Sequence, residues 1–460
     1  MKKYDAIVIG SGQAGTPLSK KLALAGLKTA LIEKRWVGGT CVNDGCSPTK
    51  AMIASAKLAW SIANSEKLGI HVGGYTVDLH EILERKNNIV HRMRGGSEKG
   101  ILKTENLDLI YGSAHFTGEK EITVKLNDGG ELTLTADKFF INAGEKPSIP
   151  DIGGIHEVDY LTSTTILELE EIPEHLVVIG SGYVALEFGQ MYRRFGSKVT
   201  ILEHSERILH KEDEDIASEI VKILSEESIE IILQSDVKSV KKNGEKLTLS
   251  VQIAGKEKNI SCSHLLVAAG RKPQTADLGL DVAHVKTDEK GYIQVNGKLE
   301  TSAEGIYALG DVKGGPAFTH IAYDDYRVIR ENIIDKGNAS ITNRLVPYCM
   351  FIDPQLGRVG MTEQEAREAG KDIIVATLAN SSVARSIETG DTRGMMKAVI
   401  DKKTGKILGA TVLAEQGGEI ISILQMAMIG GITYKQIKEG IFAHPTYAES
   451  LNNLFMTLDK

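Results

Sequence analysis

Only four of the 460 residues are cysteine, too few for a disulfide scaffold in a chain that nothing marks as secreted. No apolar run approaches the ~20 residues that cross a bilayer. The first such run, in MKKYDAIVIGSGQAG, breaks at glycine before a cleavage region could follow, so it reads as a buried strand and not as a leader. A cytoplasmic protein without a membrane partner is therefore expected. Net positive charge is also missing, and a formal charge of −7 argues against nucleic acid as a partner. Prolines number 10 against 47 glycines, the balance of a chain with many tight strand-to-helix turns. With 42% hydrophobic and 25% charged residues the composition is that of an ordinary globular protein, and 460 residues exceed what a single core sustains, so about three domains are expected.

Two of the cysteines dominate what is present. Cys41 and Cys46 lie in GGTCVNDGCSPTK, residues 38–50, just downstream of a glycine-rich loop. In a regular helix, residues five apart are separated by roughly 7.5 Å of rise, beyond the ~7 Å Cα limit for a disulfide. Bonded, the pair must sit on a distorted turn. Asn43, Asp44 and Gly45 tolerate such backbone, Pro48 suits a helix start, and TKAMIASAKLAW has helical periodicity. A helix N-terminus favours the thiolate, the species that exchanges with disulfides. The competing readings are a structural disulfide and half of a metal site. The first suits a secreted chain, and the second wants further Cys or His at short spacing, whereas the nearest other cysteine is Cys262. The pair reads as redox-active, and no metal ligands are assigned. Cys262 and Cys349, in or near strands, read as buried packing.

The chain also repeats its chemistry. An apolar strand ending at Ile9 leads into Gly10, Gly12 and Gly15 in a GxGxxG loop, then a helical stretch, then a second strand ending at Glu33. Residues 175–179 begin the same series, with Gly180, Gly182 and Ala185 in GxGxxA, a helix through LEFGQMYRRFG, and a strand ending at Glu203. The first glycine and the acid are 23 residues apart in both copies. The first glycine makes the tight turn, the second lets backbone approach a pyrophosphate, the third position lets helix pack on strand, and the acid accepts from ribose hydroxyls. Two dinucleotides are thus expected. Nicotinamide gives a hydride that a dithiol does not readily accept, so a two-electron carrier, read as FAD, belongs between them.

At this point the sequence resembles the class I pyridine nucleotide-disulfide oxidoreductases, a family that includes lipoamide dehydrogenase, glutathione reductase and mercuric reductase. Their GGTCxNxGCxPSK is matched by GGTCVNDGCSPTK, with Thr49 for Ser and with Ser47 and Asp44 where apolar residues are usual. The resemblance implies an α/β chain with two Rossmann-like dinucleotide-binding domains, one for FAD (residues 1–147 and 273–342) and one for NAD (148–272), plus a C-terminal α+β dimerisation domain (343–460). It assigns the first glycine loop and Glu33 to FAD and the second, with Glu203, to the nicotinamide cofactor. Cys46 is implied to be the thiolate beside the flavin and Cys41 the interchange thiol facing substrate. TSAEGIYALGDV resembles the second FAD motif, with Asp311 on the ribityl chain and Thr319 and His320 lining the flavin. Ala114, with Gly112 and Ser113, resembles the adenine-contacting segment. FINAGEKP and LVAAGRKP, around Gly144 and Gly270, resemble the crossings between the two nucleotide domains, the first with Asn142 and Ala143 in place of the usual residues. Lys50 and Glu187 are implied to pair near the flavin, and Tyr183 to cover it until nicotinamide arrives.

In FAHPTYAES, His444 and Glu449 match the family's acid-base pair, in which the histidine reaches across a homodimer interface so that the active site is shared. Glu203 repels a 2′-phosphate, which favours NADH over NADPH, with His204 and His210 where NADPH users carry arginines and Arg207 close by. Several segments, among them AMIASAKLAW and FTHIAYDDYRVIREN, look closest to mercuric reductases and to the bacterial reactive-chlorine-resistance oxidoreductases. The expected acceptor is accordingly a metal ion such as Cu(II) or Hg(II), an oxidant or a small disulfide. NNLFMTLDK lacks the C-terminal cysteine pair of true mercuric reductases, so high-flux mercury reduction is not expected. Asp44 is expected either to point to water or, beside a thiolate, to raise the thiol pKa or attract a cationic metal. The alternatives are a dihydrolipoyl dehydrogenase and, from another class, a nucleotide-binding redox sensor without turnover.

Overall fold

The computed structural model describes residues 2–459 and divides into two compact units. The first holds Met1–Ala51, Leu83–Ser148 and Gly270–Arg344. At its centre Lys2–Ile9 runs parallel to Thr29–Glu33 on one side and to Glu131–Ile141 on the other, with Leu107–Gly118 and Ile306–Ala308 at the two edges. Strands covered on both faces are largely apolar, and Thr29–Glu33 is buried at every position with Ala30, Leu31 and Ile32 at its centre. Leu107–Gly118 is long enough to leave this layer. Its first half pairs with Thr29–Glu33, and from Gly112 onward it joins an antiparallel meander with Glu121–Leu126 and the start of Glu131–Ile141. The change falls on a glycine because a Cβ at Gly112 would lie 2.5 Å from the Lys125 carbonyl oxygen.

The two crossing segments meet in the same unit. Glu145–Pro147 and Arg271–Pro273 pair antiparallel, and amides of Ser148 and Gln274 extend the ladder to the carbonyls of Gly270 and Gly144. The Arg271 guanidinium also reaches the Glu145 carboxylate at 3.3 Å.

The second unit holds Met52–Ile82, Ile149–Ala269 and Leu345–Lys460. It contains a parallel sheet in the order His264–Val267, His175–Ile179, Lys198–Leu202, Ile229–Ile232, and beside it an antiparallel sheet of Ser235–Asn243, Lys246–Ile253 and Lys256–Cys262. The C-terminal stretch forms five antiparallel strands, Tyr348–Met350, Gln355–Gly360, Ile407–Ala414, Met395–Asp401 and Ile373–Ala379 in spatial order. Helix Gly417–Ile429 lies so close to this sheet that a Cβ at Gly357 would sit 2.4 Å from the Gly417 carbonyl oxygen. The two Rossmann-like sheets and the C-terminal α+β domain are the architecture expected from the sequence. Among the described residues no helix is long and apolar enough to cross a membrane. Cys262 is buried, and burial pushes its thiol up to about 12. Cys349 departs from expectation, being only half-buried at an edge strand with its sulfur towards Gln355.

A buried ionic cluster ties the second unit together. Trp60 lies under two guanidiniums, Arg393 at 4.2 Å and Arg194 at 5.0 Å from the ring centre. Arg194 grips Glu227 with two bonds of 2.7 and 2.8 Å and reaches Asp353 at 3.0 Å, while Arg393 contacts Glu227 at 2.9 Å and Asp391 at 2.7 Å. Burial pushes the Asp353 carboxyl up, but Arg194, Lys57 and Arg393 outweigh it and hold it below the usual range. Removing one member leaves buried charge uncompensated, which costs about 3–5 kcal/mol. Asp353→Ala is expected to destabilise the protein by that amount, read as a lowered urea midpoint.

Candidate active site

The first glycine loop is tight enough to exclude a side chain at its glycine positions. Gly10 has φ +99, and a Cβ there would lie 2.4 Å from the Asn142 carbonyl oxygen; one at Gly15 would lie 2.0 Å from the Gly10 carbonyl oxygen. The loop opens into helix Gly15–Leu24. Gly39, at φ +61, comes so near that its Cβ would be 2.7 Å from Cα of Gly12, and the Gly38 amide donates to the Ser11 carbonyl at 3.1 Å. The segment carrying the cysteines thus lies directly on the first glycine loop. Glu33 is buried at the end of its strand, accepting from the amide and hydroxyl of Ser11 at 2.9 and 2.5 Å and from the Arg35 amide at 2.8 Å.

The cysteine segment divides into two helices, Gly39–Asn43 and Cys46–Ala63. The second begins at Cys46, two residues earlier than Pro48 suggests, so Cys46 sits in its first turn. Between the helices Asp44 takes φ −146 and ψ 31, and a Cβ at Gly45 would lie 2.8 Å from the Thr40 carbonyl oxygen, which is the distorted turn the spacing demands. Both cysteines are outside a disulfide, Cys41 half-buried and Cys46 exposed. Thr319, first residue of helix Thr319–Ile333, brings its hydroxyl to 3.3 Å from the Cys46 sulfur. Cys41 is pushed well above the usual thiol range, first by its hydrogen bond with Cys46 and then by burial, while Thr319 and the positive charge of Lys50 pull the other way. Lys50 lies one turn beyond Cys46 on the same helix. Asp44 neither points to water nor stands as a free carboxylate. It is buried and accepts from Arg35 at 2.8 Å.

The second glycine loop repeats the first in a different unit. Gly180 has φ +101 with a Cβ position 2.6 Å from the Ala268 carbonyl oxygen, Gly182 caps helix Tyr183–Phe195, and Ala185 is fully buried. The Ser181 hydroxyl donates to Glu203 as Ser11 does to Glu33, each serine 22 residues before its acid. Burial pushes the Glu203 carboxyl up, but bonds from Ser181 and Ser205 and the charge of His204, 2.9 Å away, outweigh it and hold it below the usual range. Arg207 turns back onto the His210 carbonyl. Tyr183 is 39% exposed at the helix start, and one turn on, the buried Glu187 accepts from the Phe351 amide at 2.8 Å.

The remaining expected residues fall into two groups. In the first unit Ala114 is buried in its strand, Gly144 and Gly270 flank the paired crossing strands, and Asp311 opens the turn after Ile306–Ala308. Burial, and then the negative charge of Glu145, push the Asp311 carboxyl up to about 6 against the pull of Arg271 and Lys313. In the second unit the His444 ring nitrogen Nδ1 meets both oxygens of Glu449 at 3.1 and 2.9 Å, in a segment fixed by Thr446 on the Ala443 carbonyl and by Asn452 on three carbonyls. Sequence reasoning missed Ser11, Ser181 and the Thr319 contact with Cys46. The repeated GSG was a readable signal for the serines, whereas a contact across 273 residues leaves none.

Asp311 holds its proton more tightly folded than unfolded, so its contribution to stability is full below pH about 4 and is lost as the pH rises through about 6. Asp311→Asn is expected to stabilise the FAD-free protein at pH 7.5 by on the order of 2 kcal/mol. The gain should shrink to less than half at pH 4.5, as measured by urea unfolding at both pH values.

The pattern described as pyridine nucleotide-disulphide oxidoreductase matches residues 4–325, and that of the dimerisation domain of the same family matches 346–455. The chain is 39% identical over 459 residues to the probable pyridine nucleotide-disulfide oxidoreductase RclA of Escherichia coli, covering 99% of both chains. It is 36% identical to a mercuric reductase of Staphylococcus aureus, over 99% of this chain and 83% of the relative, and 37% identical to a dihydrolipoyl dehydrogenase of Thermus scotoductus, over 100% and 98%. The solved Cu(II) complex of the HOCl-induced flavoprotein disulfide reductase RclA from Escherichia coli superposes with a TM-score of 0.91 at 38% identity, covering 99% of each chain. With both of its parts matched from end to end, the chain belongs to the pyridine nucleotide-disulphide oxidoreductase family.

Proposed function

We propose that the chain is an NADH-dependent flavoprotein reductase that passes electrons to the Cys41–Cys46 pair and on to a thiophilic metal ion such as Cu(II), an oxidant or a small disulfide. The observation that carries this reading is the contact between the cysteine segment and the first glycine loop, with the Gly39 Cβ position 2.7 Å from Gly12. The first unit fits the FAD its family uses. Gly10, Gly12 and Gly15 form a cradle in which a Cβ would collide with neighbouring atoms, a helix N-terminus stands behind them, and Glu33, Ala114, Gly144, Asp311 and Thr319 are the further residues proposed to hold the cofactor. Bound there, FAD supplies the two-electron step between nicotinamide hydride and a dithiol.

The chain's own residues supply the rest. Gly180, Gly182, Tyr183, Glu203 and Gly270 are proposed to bind NADH, the Glu203 carboxylate accepting from a 2′-hydroxyl and repelling a 2′-phosphate. Cys46 stands at the N-termini of two helices, an arrangement that stabilises negative charge on its sulfur. Cys41, whose thiol is pushed up by its hydrogen bond with Cys46 and by burial, is proposed as the interchange thiol. Lys50 and Glu187 are proposed as a cation and its carboxylate partner beside the flavin. The match to the dimerisation domain supports a homodimer in which His444 of one copy, oriented by Glu449, exchanges the proton of the other copy's Cys41. The Cu(II) complex of RclA and the mercuric reductases support a metal-ion acceptor.

Purified holoenzyme given NADH should turn over faster with Cu(II) or Hg(II) than with lipoamide or glutathione disulfide. If lipoamide wins, the dihydrolipoyl dehydrogenase reading replaces this one, and if nothing is turned over the chain is a sensor. Cys41→Ser and Cys46→Ser should each abolish acceptor reduction, and His444→Ala should lower it by about 10²–10⁴-fold. Glu203→Ala should cost about 10- to 100-fold in kcat/KM for NADH through the lost charged hydrogen bonds, narrowing the gap to NADPH.

A further inference from the structure

The loop between the two cysteines is bolted down from outside. Asn43 donates to the carbonyls of Gly39 at 2.8 Å and Val37 at 3.0 Å, and its Oδ1 accepts from Arg94 Nε at 2.6 Å. The next residue, Asp44, is buried and accepts from Arg35 at 2.8 Å through one carboxylate oxygen, while the other, Oδ1, is buried without a hydrogen-bond partner. The two arginines come from separate places, Arg35 from just after strand Thr29–Glu33 and Arg94 from helix Leu79–Leu102. They are joined by Trp36, whose ring centre lies 5.4 Å from the Arg35 guanidinium and 4.5 Å from that of Arg94. This chain buries a carboxylate at position 44, and burying a carboxylate is costly unless a cation meets it.

We infer that Arg35 and Arg94, braced on Trp36, are positioning residues that hold the inter-cysteine loop closed and so set the redox poise of the Cys41–Cys46 pair. The inference rests on the reading of these two cysteines as a redox couple. A dithiol whose sulfurs are kept together loses little freedom on forming the S–S bond, so a bolted loop favours the disulfide. The Cys41 and Cys46 thiols are hydrogen-bonded to one another in the dithiol. Releasing the loop lets them separate in the dithiol, which gains entropy, and the equilibrium moves towards the reduced form. Charge acts in the opposite sense. The other groups facing the thiols are the Lys50 ammonium and the Thr319 hydroxyl, and losing an arginine removes positive charge that favours thiolates, which would move the equilibrium towards the disulfide. In Arg94→Gln, which removes a positive charge alone, the sign of the shift therefore separates positioning from electrostatics, whereas Arg35→Met/Asp44→Val removes one charge of each sign and leaves the net charge unchanged.

The test is anaerobic equilibration of the holoenzyme with dithiothreitol buffers. One dithiothreitol gives two electrons and two protons to the Cys41–Cys46 disulfide and becomes its own cyclic disulfide. Acid quenching and mass-spectrometric counting of alkylated Cys41 and Cys46 then give the equilibrium constant. Two variants are compared with the native protein. Arg35→Met/Asp44→Val removes the ion pair without leaving a buried charge, and Arg94→Gln frees Asn43 independently. Each is expected to shift the equilibrium towards dithiol by about tenfold, which is about 30 mV for a two-electron couple. Constants within threefold of native in both variants, or a shift towards the disulfide, overturn the inference. A native protein in which Cys41 and Cys46 never form a disulfide at any buffer ratio would instead overturn the function proposed above.

Discussion

The close approach of Gly39 to Gly12 is the constraint on which the first unit depends. A nucleotide loop can lie under any helix, and a cysteine pair can start any helix. Here one backbone runs against the other with no space for a Cβ, and the Gly38 amide is bonded to the Ser11 carbonyl. The thiols are thereby fixed to the loop that would cradle a dinucleotide, on the scale of a van der Waals contact and not of a domain dimension. Thr319, 273 residues away in sequence, closes the arrangement by meeting the Cys46 sulfur.

Charge is handled in two ways in this protein. In the second unit, carboxylates and guanidiniums are buried together around Trp60, and full mutual compensation makes the cluster a structural tie among stretches distant in sequence. At two carboxylates of the first unit, compensation is partial. Asp311 keeps a raised pKa because it is buried and Glu145 lies near it, and Asp44 has a cation on one oxygen and no hydrogen-bond partner on the other. Incomplete compensation costs stability, and at Asp311 and Asp44 it is found beside residues of the proposed chemistry.

The duplication of the nucleotide loop extends below the glycines. Ser11 with Glu33 and Ser181 with Glu203 are the same device, a hydroxyl that fixes one carboxylate oxygen at the end of the second strand. The copies diverge immediately after the acid. Arg35 is drawn off to Asp44, while His204 stays beside Glu203, so one framework presents two different rims.

The paired loops, their acids, the cysteine spacing and the HPTYAE segment were legible in the chain because each is local. A tight turn needs glycine, a strand covered on both faces needs apolar residues, and two sulfurs five positions apart need a broken helix, whatever else the chain does. Asp44 was not legible, because whether a carboxylate faces water, a thiol or a guanidinium depends on residues brought near by folding, and Arg35 bears on it only once the two helices turn back. The partial burial of Cys349, the Thr319 contact and the Trp60 cluster were hidden for the same reason. The sequence by itself determined which elements form and which chemical groups they carry. Tertiary structure alone decided which of those groups meet, because contact across hundreds of residues is settled by packing, which no local spacing encodes.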